Sequence, residues 1–459
     1  MKKGLLKKLL VAVTAMSMVV TVTNVAGVET YAATGAKKAV TAKKSAGKTT
    51  DGKNTSKTVK KADAESKLCG DWTYVCVTSE YTSFGETSEY FNMGDENGYA
   101  SYEMSIYKDG DTLRADYNHI GESLIQLYGM PTEICDGAMD EKCENKEWYA
   151  EFKPRWESNC IRTLTLISEN VLELREEMIN DEYTEEDYRY VDRFTFVRKG
   201  SNEEKNKEDF RYLKTVKVST AKELLEALES RTKIILEDGV YDMSNLAEEG
   251  IKNEHVLFNY GSEPQIEDIN NVTIVADEGA DVLIEIDDPY SRVLSFVNCN
   301  ALFFEGLTMG HDVEPGTCSG SVLYMEGCSG GAVTDCDLYG CGTYGLELLN
   351  VSGMKISGTN IHDCSYGLVD LYNVYNMTFE DCSFMDSVEY SMFSVYDSYE
   401  VQFNDCLISG NVTDSNYSTF IDATDTFGLV FSGCTFEDNT YDELYQGEVE
   451  FEDCSFDDN

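Results

Sequence analysis

The chain has 459 residues, with 84 Asp plus Glu against 37 Lys plus Arg, a formal net charge of −47. That length is too great for one ordinary core, and so acidic a chain repels nucleic acid and anionic membranes while attracting cations. The charge is uneven: residues 34–67 hold 10 Lys against 3 acids, whereas residues 214–459 hold 8 Lys plus Arg against 47 acids, a net of −39. Most of this acidity has a plain role in keeping a β-rich protein soluble and its strand edges unpaired.

Lys2, Lys3, Lys7 and Lys8 precede an apolar run, and Thr30-Tyr31-Ala32 then offers a small-x-small cleavage site. This pattern predicts a signal peptide over residues 1–32 and hence a secreted protein, with a membrane anchor as the alternative. No later stretch is apolar enough to span a bilayer, so no membrane span is expected after cleavage. Residues 33–67 are Lys, Ala, Thr, Ser and Gly without periodicity, a flexible basic linker able to adhere to an anionic cell wall.

Residues 68–200 read as many short alternating strands, among them Ser101–Tyr107, Thr112–Tyr117, Val171–Arg175 and Arg189–Arg198. Strands so spaced fit a small antiparallel β-barrel. Gly70-Asp71-Trp72 resembles the opening of lipocalin-like barrels. Trp72, Trp148 and Trp156 either fill its core or line a ligand mouth. Residues 201–213 are a charged linker. Thr220-Ala221-Lys222-Glu223 is a capping box that starts a short helix, placed to cover the first coil of a C-terminal repeat region.

In that region a strand-like phrase returns seven times, from Leu302–Met309 to Val449–Phe456. Its third position is Phe304, Val333, Ile356, Phe379, Phe403, Phe431 and Phe451, in steps of 29, 23, 23, 24, 28 and 20 residues. A period of this size with strand chemistry means a solenoid whose coils bury their apolar faces only by stacking. Gly340–Ile361 lays out one coil as three short strands, with Leu346, Leu348, Met354, Ile356 and Ile361 inward and a turn at Asn350. The first turn stacks Asn298, Gly327, Asn350, Asn373, Asp397 and Asp425, types that tolerate left-handed backbone. The third strand is expected to stack Leu307, Cys336, Thr359, Cys382, Cys406, Cys434 and Cys454.

The fold class predicted is therefore all-β, a parallel β-helix over 214–459 preceded by the small barrel. Fifteen cysteines in an exported chain suggest disulfides, with Cys318 and Cys341 as the leading pair, but small buried thiols stacked in the core explain most of them equally.

Laid out in this way, residues 214–459 resemble the pectin-lyase-like right-handed parallel β-helices, in the Gly345-Leu346-Glu347-Leu348 strand, the Asn350 turn and the repeated phrase. That fold hosts lyases, hydrolases, epimerases, adhesins and inert spacers, so it does not carry function by itself. The resemblance implies a substrate groove over the outward side of the first strand. There the sequence places acids among tyrosines, a pattern that stacks sugar rings and hydrogen-bonds hydroxyls. Glu347, Asp370 and Glu326 are the catalytic candidates. Tyr324, Tyr372, Tyr396, Asp422 and His311 are the substrate-binding candidates, His311 from an insertion overhanging the groove.

Glu347 and Asp370 share a column one coil apart, close enough to raise one pKa or to share a Ca²⁺ ion; no other cofactor is implied. A lyase would need an arginine base, and Arg292 is expected at the start of a first strand, away from Glu347. With four His in all, a zinc site is not expected.

Two functions remain open. One is a secreted or surface protein that binds polysaccharide, neutral rather than polyuronide, and acts on it as a hydrolase or lyase. The other is a non-catalytic adhesive or structural rod with the N-terminal barrel as its binding module. The open C-terminal edge, guarded by acids, suits end-to-end self-association.

Overall fold

The computed structural model describes residues 66–83, 86–94, 103–109, 112–118, 125–127, 133–136, 148–152, 160–179, 189–259, 262–313, 319–340, 343–413 and 419–457. The expected signal peptide, nearly all of the basic linker, the Trp148 side chain, Trp156, Cys318 and Cys341 lie outside them.

Near the N-terminus the protein is an antiparallel sheet. Gly70–Ser83 lies inside it, paired with Arg189–Arg198, with Glu86–Met93 and with Glu103–Asp109. Alternation along Gly70–Ser83 turns Trp72 and Tyr74 into a core with Met104, Leu172, Leu174 and Phe196. Trp72 is buried, donates its indole N–H to the Leu68 carbonyl at 3.1 Å, and lies under the Arg198 guanidinium. Of the two roles open to this tryptophan, the core role is the one it plays.

The charged segment 201–213 is folded. Ser201 caps the short helix Asn202–Lys205, and the 3₁₀ turn Lys207–Arg211 comes next. Arg211 is buried, over the Phe303 ring and bonded to Asn271. Arg231, from the next unit, stacks at 3.8 Å on Phe91 of the antiparallel sheet. The helix Ala221–Ala227 starts where its capping box places it: the Thr220 hydroxyl accepts from the Glu223 N–H, and Glu223 accepts from Ser219. Its buried Leu224 and Leu225 join the core of the first coils.

From Lys214 onward the chain is a parallel β-helix built on three sheets. The first sheet runs Glu263–Glu267, Leu294–Val297, Leu323–Glu326, Leu346–Leu349, Val369–Tyr372, Phe393–Tyr396, Ile421–Ala423 and Tyr445–Gly447. Only its outermost strand, Val256–Asn259, is antiparallel, forming a hairpin with Glu263–Glu267 that closes that edge. The second sheet holds the repeated phrase in full register: Phe304, Val333, Ile356, Phe379, Phe403, Phe431 and Phe451 pair in sequence, one per coil. Inside, the rings stack, Phe379 on Phe403 at 4.4 Å and Phe403 on Phe431 at 4.6 Å. That spacing is the inter-strand distance of a sheet, so identical residues on successive coils meet face to face.

Corners turn through left-handed backbone. At the first corner Asn298, Asn350, Asn373, Asp397 and Asp425 have φ between 50° and 55°, and Gly327 has 63°. Asn373 donates to the Asn350 side chain at 2.6 Å, one coil to the next. A second corner repeats the device with Gly306, Asp335, Gly358, Asp381, Asp405, Gly433 and Asp453. The cysteine column comes directly after these residues. It therefore sits at the bend between second and third strands, not on the third strand as the spacing suggested. Its thiols are free, and they donate across the coil: Cys382 to the Ile356 carbonyl, Cys406 to Phe379 and Cys434 to Phe403. A small donor that satisfies a carbonyl exposed at a bend explains the preference for Cys.

Two glycines separate the cost of φ from the cost of crowding. Gly353 has φ of 66° and a Cβ there would meet only the Gly330 backbone nitrogen, at an ordinary 3.9 Å, whereas at Gly331 (φ 119°) a Cβ would strike the Leu302 backbone one coil before. Gly353→Ala is expected to lower stability by about 1 kcal/mol, and Gly331→Ala by well over that. Urea midpoints of the two variants check this, and equal losses would contradict it.

Candidate functional site

Parallel register places the site residues. Gln265, Ser295, Tyr324, Glu347, Asp370, Ser394 and Asp422 form one outward column of the first sheet. Glu326, Leu349, Tyr372 and Tyr396 form the next. The column thus brings Glu347 and Asp370 together on neighbouring strands, roughly 5 Å apart along the stack.

Arg292 lies beside Glu347, contrary to the sequence expectation. It comes from the turn two coils earlier, lies over the Tyr324 ring at 3.6 Å, and reaches Glu347 with two donors, Nε to Oε2 and Nη2 to Oε1, both at 3.2 Å. Ser321 donates to the same Glu347 Oε2 at 2.5 Å. Glu263, only 2% exposed, accepts from the Arg292 backbone N–H at 3.3 Å and from its guanidinium at 3.4 Å. Burial works against the charged guanidinium, but Glu347 and Glu263 outweigh it and hold the Arg292 pKa above its ordinary value. A bidentate pair of this kind fixes an ionised carboxylate in position.

Asp370 is held differently. Among the described residues it forms no hydrogen bond or ion pair, and burial, reinforced by the neighbouring Glu347 charge, pushes its pKa up to about 6. Near Asp370 is Tyr344, from the turn one coil earlier. Tyr344 lies across Gly367, where any Cβ would strike its ring and the Ser391 carbonyl. Burial also raises the Tyr344 hydroxyl to about 12, with Asp370 and Glu347 adding to the shift. Two adjacent carboxylates thus have different surroundings: Glu347 is bonded to Arg292 and Ser321, and Asp370 has no such partner among the described residues.

The remaining expected residues occupy varied places. Tyr324 is buried beneath Arg292 and donates to Glu326 at 2.9 Å, so Glu326 anchors that ring instead of facing Glu347. Tyr396 donates to Asp422 at 2.8 Å, and Asp422 also accepts from the Thr424 hydroxyl. Tyr372 is 47% exposed at the groove margin. His311 does not overhang the groove. It is 3% exposed in the core, and its Nε2–H donates to the Ser291 carbonyl at 2.8 Å. Its strand, Thr308–His311, continues the alternation that points Met309 inward, and two residues on His311 points the same way. Burial lowers its pKa. His362 sits on the third sheet, bonded to Asp337 and Asp363.

A cleft of about 270 Å³ lies at the N-terminal end of the column, lined by Glu263, Tyr290, Arg292, Thr343, Tyr344 and Glu347 with Ser319 and Gly320. Of these only Glu347 was singled out from the sequence as a site residue. Apart from Glu263, which opens the strand Glu263–Glu267, the others come from turns leading into the first strand, which the repeat pattern treats as connection. Among the described residues no group of three or more His, Cys, Asp or Glu is arranged to hold a metal ion. A Ca²⁺ ion shared by Glu347 and Asp370 would have to compete with Arg292 for Glu347.

Residues 265–456 match the family model described as a right-handed beta helix region, in keeping with the stacked parallel sheets of this part of the chain. Comparison with curated proteins finds no match. Solved structures that are similar include pectate lyase Pel9A (11% identity, 52% of this chain and 68% of that one, TM-score 0.37). A rhamnogalacturonan lyase is similar at 11% identity, 50% of this chain, 66% of that one and a TM-score of 0.33. PfbA, a surface adhesin of Streptococcus pneumoniae, is similar at 10% identity, 54% of this chain, 83% of that one and a TM-score of 0.19. Likeness of this size decides nothing about chemistry.

The state of Asp370 has a measurable consequence. An acid whose folded pKa is raised from 3.8 to about 6 destabilises the fold wherever it is ionised. Below about pH 4 it is protonated in both folded and unfolded chains and costs nothing. Asp370→Asn should therefore match the parent near pH 3.5 and exceed it at pH 8, by at most about 3 kcal/mol. Urea unfolding across that range checks it, and a gain independent of pH would contradict it.

Proposed function

We propose that the β-helix binds a neutral polysaccharide along the outward face of the first sheet and hydrolyses it with Asp370 and Glu347. The observation that carries this is the unequal treatment of two adjacent carboxylates. Glu347 is held by Arg292 and Ser321, while Asp370, half-buried and without a hydrogen bond or ion pair among the described residues, has its pKa pushed up to about 6. Two carboxyl groups held so differently on neighbouring strands are suited to act as nucleophile and acid on one glycosidic bond.

In this reading Asp370 gives its proton to the bridging oxygen as the bond to the anomeric carbon breaks and a Glu347 carboxylate oxygen bonds to that carbon, the course that a separation of roughly 5 Å suits. Water then adds its oxygen to the carbon and gives a proton to Asp370 as the bond to Glu347 breaks, which restores both groups. Arg292 orients Glu347, and Tyr344 keeps water from solvating Asp370. Tyr372 and Tyr396 offer ring faces to sugars further along. A polyuronide is disfavoured because its carboxylates would meet Glu263, Glu347 and Asp422 in a domain already strongly negative. The signal-peptide pattern of residues 1–32 supports a site of action outside the cell, where such polymers occur.

The full chain, incubated with neutral glucans, mannans, xylans and galactans and with polygalacturonate, is expected to release reducing ends from one of the neutral polymers. Glu347→Gln and Asp370→Asn should each lower that rate at least a hundredfold, and the alkaline limb of the parent's activity, set by loss of the Asp370 proton, should be absent in Asp370→Asn. Preference for polygalacturonate, or full activity in both carboxylate variants, would overturn the reading.

A further inference from the structure

We propose that the cleft between Glu263 and Glu347 is a terminal subsite, which takes the last ring of a neutral glycan so that the chain is shortened one unit at a time. This deepens the reading of the groove given above and rests on it.

The first argument is closure. A groove over stacked parallel strands is open at both ends unless something ends it. Here the hairpin of Val256–Asn259 with Glu263–Glu267 ends the first sheet on its N-terminal side. The turn beyond it is fastened down: Ser262 and Ser291 share a hydrogen bond at 2.8 Å, Ser262 also donates to Asp288, and the Tyr290 N–H binds Asp288 at 2.9 Å. From below, His311 holds the Ser291 carbonyl, and this is the one use the structure gives a histidine buried with its other nitrogen unpartnered. Gly320 approaches the same carbonyl so closely that no side chain would fit. The Tyr290 ring, 74% exposed, stands at this closed end with a free face. On the opposite side the column continues past Asp370 to Ser394 and Asp422.

The second argument is size and charge. At about 270 Å³ the cleft lies just under the range of pockets that enclose drug-sized ligands, and it suits one pyranose ring. Its lining sets two carboxylates, Glu263 and Glu347, around one guanidinium. Glu347 Oε2 is filled by Arg292 and Ser321, but Oε1 accepts only from Arg292 Nη2 and keeps a lone pair for a sugar hydroxyl. The excess of negative charge refuses a uronate. With a ring seated here, the next ring lies over Asp370, and the linkage between the two falls at the Glu347–Asp370 pair. The product of each turnover is then a single sugar.

The test uses the full chain with linear cello-, laminari-, malto- and mannohexaose, β-cyclodextrin as a chain without ends, and the parent neutral polymers. Binding is read by calorimetry and products by chromatography. The monosaccharide is expected as the first product from the hexaose that responds, with affinity per chain end the same for hexaose and polymer. Cyclodextrin should not bind. Thr343→Trp, which fills the cleft, should weaken binding at least tenfold, and Tyr290→Ala, too exposed to affect folding, about threefold. Early products of mixed length, or unchanged binding in both variants, would overturn the terminal subsite. If binding is nevertheless lost in Tyr396→Ala, the groove reading survives that failure. If no hexaose or neutral polymer binds, both fall.

Discussion

Everything in the C-terminal half depends on one backbone requirement: each coil must turn its corners through left-handed φ at the same place as the coil before it. At the first corner six successive coils do so with Asn, Gly or Asp, and at the second corner seven do so with Gly or Asp. These residue types pay least for that conformation. Because the corners coincide, the backbone N–H of one corner meets a carbonyl of the next coil, as Asn350 meets Tyr372 and Asn373 meets Tyr396. Once the corners are in register, strands cannot slip. The inward phenylalanines then stack at the strand spacing, and the outward residues form straight columns.

The straight column is what turns a structural repeat into a site. Two carboxylates that are 23 residues apart become neighbours solely because Glu347 and Asp370 occupy equivalent positions on adjacent coils. The residues that set their states come from elsewhere, from the turns that lead into the first strand. Arg292 enters from two coils before and Tyr344 from one coil before Asp370. The sheet supplies regular spacing and the turns supply chemistry, which agrees with loops being where a rigid scaffold carries variable function.

This division also explains what could be read from the sequence. The phrase ending in Phe451 and the corner residues repeat, so their period gave the coil, its core and its outward columns, including Glu347 above Asp370. Arg292 was misplaced because coil alignment registers neighbours one rung apart, while a long side chain lying along Tyr324 spans two. The reduced exposure of Asp370 was invisible because burial depends on how side chains from different coils pack, which carries no periodicity. His311 is a different case. The alternation that places Met309 inward extends to it, and the insertion after it concealed that the strand had two residues left to run. The cysteines were legible as a column, but their place at the bend depends on which carbonyls the corner leaves exposed.

The domain's large negative charge raises the question of whether Asp370 is simply one acid among many. Screening argues otherwise. At physiological salt the Debye length is about 8 Å, so carboxylates on the far faces of the β-helix contribute little at the groove. Glu347, one strand spacing away, lies inside that distance and is the only charged neighbour raising the Asp370 pKa, with burial as the larger cause. Arg292 and Ser321 hold Glu347 in place beside Asp370. Residues 214–459 contain just one other arginine, Arg231, and that one stacks on Phe91 of the antiparallel sheet. The guanidinium at the groove thus engages one of the two acids, while burial is the main cause of the raised pKa of the other.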